Sequence, residues 1–193
     1  MYEYIQGRVV ELTPTYVVID NNGIGYLILI SLNTYTALSG KEQAVIFLHH
    51  VVREDAQLFY GFYSKAEREI FRLLLTVSGV GANTSRMILS SLSPNELCAA
   101  VSEGNVALIK SIKGVGQKTA ERIIVDLRDK IGKSDINTTF SVSQNNTNRE
   151  EALSALVTLG FPKNVVEKII DKLLKEEPTM QVEEIVKKAL KAI

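Results

Sequence analysis

The sequence predicts a multidomain protein in which an all-β N-terminal module is followed by an all-α middle and a small three-helix C-terminal unit. Three observations carry this reading. The hydrophobic period changes from strand-like to helical near residue 64, a glycine-centred segment of the middle occurs twice at a spacing of 35 residues, and a polar stretch separates the middle from the tail.

Residues 1–63 contain short β-branched and aromatic runs ("GRVVEL", "TYVVID", "GYLILI", "AVIFLHHVV", "LFYGFY") broken by turn signals such as "DNNGIG". Such spacing fits a barrel or sandwich of five or six strands. His49 and His50 fall on opposite faces of one strand, and no cysteine or carboxylate partner accompanies them in sequence. They are read as structural. Between the last two strands lie Arg53, Glu54 and Asp55, at the expected tip of a β-hairpin. Turn chemistry reads these carboxylates as a solvated turn, and the same pair is compatible with acid–base catalysis.

Residues 64–133 read as helix throughout. Ser64 with Glu67 forms one expected capping box, Ser93, Pro94 and Glu96 form another, and apolar residues keep a helical period to Ile131. From residue 134 to 148, 11 of 15 residues are Ser, Thr, Asn or Gln. There is little to bury, which predicts a flexible linker. Residues 149–193 read as three short helices broken at "LGFP" and "EEPT", the last with Val182, Ile185, Val186, Ala189, Leu190 and Ile193 on one core stripe and Lys187, Lys188 and Lys191 off it. The single cysteine, Cys98, excludes an internal disulfide and a cysteine-rich zinc site, and its setting "NELCAAV" is that of a buried helix residue. No metal or cofactor is expected. No apolar run reaches the roughly 18 residues of a membrane span, and the N-terminus lacks a signal-peptide layout, so a cytoplasmic protein is expected.

Twenty-two basic and 22 acidic residues cancel over the whole chain. The balance differs by segment: residues 1–63 carry 3 basic and 6 acidic residues, whereas residues 64–133 carry 11 and 7. A positive helical segment suits a polyanion, and a negative module beside it keeps that polyanion off one spot. The duplicated segment supplies the contact. "TVSGVGANTSRMIL" (76–89) aligns with "SIKGVGQKTAERII" (111–124), pairing Gly79 with Gly114, Val80 with Val115, Gly81 with Gly116, Thr84 with Thr119 and Ile88 with Ile123. Each copy follows one apolar helical stretch and opens another. Glycine permits positive φ and close approach to the backbone, while the amides of the following helix present the positive end of its dipole, a setting that binds phosphate. Lys118 and Arg122 add charge in the second copy. A nucleotide-binding phosphate loop does not fit, because "GKS" at 132–134 has Leu127 where the first glycine belongs and follows a helix.

The paired hairpins resemble the tandem helix-hairpin-helix module of DNA-binding proteins. With "HVVREDAQLFYGF" (50–62), "GVGQKTAERIIVDLRDK" (114–130) and "EALSALVTLGF" (151–161), the whole chain resembles the RuvA family, the Holliday-junction-binding subunits of the bacterial branch-migration complex. The resemblance implies an oligonucleotide/oligosaccharide-binding (OB) barrel, a double-hairpin domain, and a mobile ubiquitin-associated-like C-terminal domain that engages the hexameric ATPase motor RuvB. It further implies a non-catalytic subunit in DNA recombination and repair, assembled as a homotetramer or two facing tetramers on four-way junction DNA, with the resolvase RuvC as a further partner. On this reading Gly79, Val80, Gly81, Asn83, Gly114, Val115, Gly116, Lys118, Thr119 and Arg122 contact DNA. Glu54 and Asp55 form an acidic pin at the junction centre, and Leu159, Gly160 and Phe161 contact the motor. Asn83 departs from the family's pattern, which often places a lysine there. The rival reading is a helix-hairpin-helix DNA glycosylase, whose catalytic Asp would be Asp135; that residue lies in the polar stretch, and Cys98 stands alone where such enzymes often carry a cysteine cluster.

Overall fold

The computed structural model describes residues 2–131, 144–177 and 180–192. It divides into two compact units, Met1–Asn137 and Thr138–Ile193.

The first unit opens with five strands, β1 (Tyr4–Leu12), β2 (Tyr16–Asn21), β3 (Ile24–Ile30), β4 (Gln43–Val52) and β5 (Gln57–Phe62), closed into a barrel in the order β1-β2-β3-β5-β4. All neighbours are antiparallel except β3 and β5, which are parallel. This is the five-stranded OB arrangement. Alternation along the strands buries Val17, Ile19, Ile28, Ile30, Ile46 and Leu48 inside it. The "DNNGIG" signal becomes a two-residue hairpin in which Asn22 and Gly23 both have positive φ, 51° and 86°. A short helix that the strand pattern hides, α1 (Leu32–Leu38), links β3 to β4, capped by Ser31, whose side chain accepts from the Thr34 amide.

The strand β5 serves two cores. Its inward residues line the barrel, while Tyr60 and Phe62 face outward and join the helices α2 (Lys65–Leu75), α3 (Ala82–Ser91), α4 (Pro94–Glu103), α5 (Val106–Lys110) and α6 (Gln117–Ile131) in one apolar cluster. Phe71 of α2 meets the rings of Tyr60 and Phe62 at 5.2 and 4.8 Å. Ser93, Pro94 and Glu96 form the expected capping box at the start of α4. At Ser64 only half of the expected box forms. The Ser64 side chain accepts from the Glu67 amide, but the Glu67 carboxylate turns away to accept from Ser31 and from Thr34 Oγ1 (2.7 Å). Burial raises the pKa of this carboxyl against the pull of those donors.

Polar staples fix the barrel to the helices. Asn33 Nδ2 donates to the Leu89 and Leu92 carbonyls at the end of α3 (2.5 and 3.0 Å), and the Arg68 guanidinium donates to the Glu3 carbonyl (2.9 Å) and pairs with the Glu3 carboxylate. Arg86 reaches the Thr15 carbonyl (2.9 Å). Cys98, expected to be buried, is half-buried in α4, and desolvation pushes its thiol pKa up.

The second unit holds α7 (Gln144–Thr158), α8 (Lys163–Glu176) and α9 (Val182–Ala192) around Ala152, Leu156, Val166, Ile170, Met180, Ile185 and Ala189. Two expectations shift here. Helix α7 begins inside the polar stretch assigned to a linker, because a helix nucleated by the apolar positions 152 and 156 propagates backward through Asn and Thr at small cost. Asn148 then donates to the Met180 carbonyl (3.1 Å). Leu190, assigned to the core stripe, is 44% exposed, while Ile185 and Ala189 are buried and Val182 and Val186 half-buried; Ile193 lies outside the described residues.

Candidate nucleic-acid interface

The two hairpins fold alike to the level of single hydrogen bonds. In the first, the Val80 amide donates to the Val77 carbonyl and the Ser85 amide to the Gly81 carbonyl; in the second, Val115 donates to Ile112 and Ala120 to Gly116, all at 2.9–3.0 Å. Gly79 and Gly114 adopt positive φ of 86° and 89°, the left-handed turn that lets one helix end and the next begin with six residues between them. Gly81 caps α3 in an extended conformation (φ −94°, ψ 173°). A Cβ placed on any of these four glycines would meet no atom within 4 Å, so the backbone is open to a ligand. The amides of the first turn of α3 and α6 have no carbonyl one turn earlier to accept them and carry the positive end of the helix dipole. Each hairpin therefore presents unfilled donors behind an open face, which is the requirement for a phosphate oxygen.

Side chains divide into anchors and contacts. Val80 and Val115, named among the DNA-contacting residues, are 5% and 6% exposed and sit in the apolar cluster. Their side chains hold the loop, and only backbone atoms remain to touch a ligand. Lys118 is exposed at the second position of α6, Thr119 is half-buried beside it, and Asn83 is exposed at the matching position of α3. Arg122 is exposed, but one nitrogen donates to the Ser78 carbonyl (3.3 Å), so it binds the second hairpin to the first as well as offering charge. Lys130 makes a second tie, donating to Thr76 Oγ1 (2.6 Å). Sequence reasoning passed over Lys113, which is exposed directly before Gly114 where the first hairpin has Ser78. The same alignment that paired the glycines carried that signal.

At the far end of β4 and β5, the Arg53 amide donates to the Ala56 carbonyl (2.8 Å) and closes a four-residue turn. Arg53, Glu54 and Asp55 are exposed there, and their side chains make no hydrogen bond or ion pair among the described residues. His49 packs edge-on against Phe71 (5.3 Å), and its pKa is lowered by burial and by nearby Arg72 and Arg68. His50 stacks on Phe59 (4.6 Å).

Comparison with known proteins matches these parts in order. Family models for the RuvA N-terminal domain, a SAM-like tandem helix-hairpin-helix and the RuvA C-terminal domain match residues 1–61, 71–129 and 147–193. A relative from Christiangramia forsetii is 50% identical over 193 residues, covering 100% of both chains. The chain belongs to the RuvA family. Relatives from Flavobacterium psychrophilum (48% identical, 99% of each chain) and Porphyromonas gingivalis (44%, 100% of each) bear the same name, "Holliday junction branch migration complex subunit RuvA".

Against the RuvA pattern the remaining expected positions divide. In the C-terminal unit Leu159 is 62% exposed, Gly160 turns with φ 97°, and Phe161 packs into the three-helix core. Of the three, Leu159 leaves an apolar side chain exposed. Val157 and Val165, at the ends of α7 and α8 that flank the same turn, are also exposed at 40% and 44%. Asp135, the residue on which a glycosylase reading depends, lies outside the described residues. Among the described residues no group of His, Cys, Asp and Glu is placed to hold a metal ion, and no helix is long and apolar enough to cross a membrane.

Proposed function

We propose that this chain is the junction-binding, non-catalytic subunit of a branch-migration complex, holding four-way junction DNA through backbone phosphates while a separate ATPase of the RuvB kind drives migration. The observation that carries the reading is the pair of matching hairpins with open glycine faces, in a chain whose relatives are named as that subunit. Backbone contacts hold a duplex without reading its sequence, so binding depends on the geometry of the arms. The four-fold symmetry of the junction calls for four copies, one hairpin pair per arm, as a homotetramer or as two facing tetramers. The acidic turn supplies what attraction cannot. Gathered at the centre of such an assembly, Glu54 and Asp55 repel phosphates and favour separated strands. The exposed apolar turn at Leu159 is the motor contact in this proposal, RuvC shares the same DNA, and the cytoplasm is the compartment of that DNA. Titration of a four-way junction and a linear duplex of equal length at equal salt tests the reading. Preference for the junction with no dependence on arm sequence supports it; equal affinity for both, or excision of a base, refutes it.

A further inference from the structure

The two hairpins differ at several exposed positions, one of them at the start of the helix that follows each glycine pair. Asn83 and Lys118 are equivalent in the repeat, and each is the second residue of its helix. A lysine ammonium attracts phosphate from any side. A carboxamide has two ends, an NH2 that attracts phosphate and a carbonyl that repels it, and an unconstrained asparagine presents either.

In this chain the choice is made by Tyr60. Its ring is 1% exposed, fixed on β5 and packed 5.2 Å from Phe71, and its hydroxyl donates to Asn83 Oδ1 at 3.1 Å. The carbonyl end is thereby occupied from below. Asn83 itself is exposed, and its Nδ2 has no partner among the described residues. We infer that Tyr60 is a positioning residue for DNA binding: it orients the Asn83 carboxamide so that the first hairpin offers N–H donors, and not a carbonyl, to backbone phosphate. The inference rests on the functional reading above. It explains how a neutral residue serves where the second hairpin has a cation, and it couples the hairpin to the strand that returns from the acidic turn.

Tyr60→Phe deletes the hydroxyl and keeps the ring. Junction affinity falls roughly three- to tenfold, the size expected of one net hydrogen bond. The slope of log affinity against log salt stays the same, because no charge is lost. The decisive measurement is the cycle with Asn83. Tyr60→Phe has no further effect in an Asn83→Ala background, nor in an Asn83→Lys background, where the ammonium needs no orienting. In the free protein the same change shifts the Asn83 side-chain amide resonances, a readout that involves no DNA. A loss of equal size in all three backgrounds marks a general effect on packing and overturns the inference, as does wild-type affinity in Tyr60→Phe or unmoved Asn83 resonances. Failure of the unaltered chain to bind DNA overturns this inference together with the functional reading; binding with additive effects overturns this inference alone.

Discussion

Replacing Gly81 by alanine separates the contact made by the hairpin from the fold that supports it. Gly81 has φ −94° and ψ 173°, a conformation open to any residue, and the added Cβ meets nothing within 4 Å. Two small terms oppose each other in stability. Stiffening of the unfolded chain contributes about 0.4–1 kcal/mol, and alanine is a poorer helix N-cap than glycine by a similar amount. Urea unfolding is therefore expected to match wild type. Binding is expected to suffer, because the methyl group occupies the space through which a phosphate oxygen reaches the first-turn amides. Losing one such charge-assisted hydrogen bond, worth about 1.5–3 kcal/mol, weakens junction affinity by roughly 10- to 100-fold. Gly79→Ala is the counterpart. At φ 86° it stores about 1–2 kcal/mol of backbone strain in the folded state, which outweighs the same unfolded-chain term, so it lowers the unfolding free energy. Fluorescence anisotropy with a labelled four-way junction, alongside urea unfolding, reads both quantities. A Gly81→Ala protein that unfolds and binds as wild type refutes the claim that the hairpin amides hold the phosphate.

Further outcomes follow from the charges and the unit boundary. Lys118→Ala is expected to weaken binding equally for all sequences and to lower the salt slope by roughly 1, measured by titration at several salt concentrations. The double change Glu54→Gln, Asp55→Asn is expected to hold or raise DNA affinity and to reduce the preference for junction over duplex; an unaltered ratio with unaltered motor-driven migration removes the acidic pin. Burial holds the Glu67 carboxyl above its ordinary value near 4.5, so the folded chain retains a proton that the unfolded chain has released. That contribution is fully present below the unfolded value and is lost as pH rises through the folded one; Glu67→Gln is expected to abolish this fall in urea-unfolding free energy as pH rises above about 4.5. A chain ending at Asn137 retains the first unit whole and is expected to bind junctions yet not to support motor-driven migration; loss of junction binding would place part of the DNA platform in the second unit.

Sequence resolved best what local chemistry dictates. The hairpins announce themselves because positive φ at Gly79 and Gly114 demands glycine and because the pattern is written twice. The type I′ turn at Asn22-Gly23 and the cap at Ser93 are equally local. What sequence hid depends on contacts between distant positions. Helix α1 has seven residues rich in Thr and Tyr, too short and too β-branched to show a helical period, and it is fixed by its cap and by Asn33 reaching the end of α3. Glu67 looked like half of a capping box because its spacing from Ser64 is right, yet its carboxylate serves a hydroxyl pair more than 30 residues away. Val80 and Val115 sit between the glycines with their side chains buried as an apolar anchor, a role that depends on distant core partners and leaves their backbone atoms to the open face.

Such long-range contacts also bear on the site. In the proposed function, attraction at the hairpins and repulsion at the acidic turn act on one polyanion, so the effect depends on the distance between them being held constant. An electrostatic pin on a loosely attached barrel would swing away from the phosphates it repels, at small energetic cost. Here β5 carries the turn at one end and contributes Tyr60 and Phe62 to the core of the helical region, so the strand and the hairpins are parts of a single packed body. Asn33, Arg68 and Arg86 add hydrogen bonds across the same boundary, and Arg122 and Lys130 tie the second hairpin to the first. On the proposed reading a near-neutral chain binds DNA in one place and excludes it from another, because rigid packing keeps the opposite charges from averaging out.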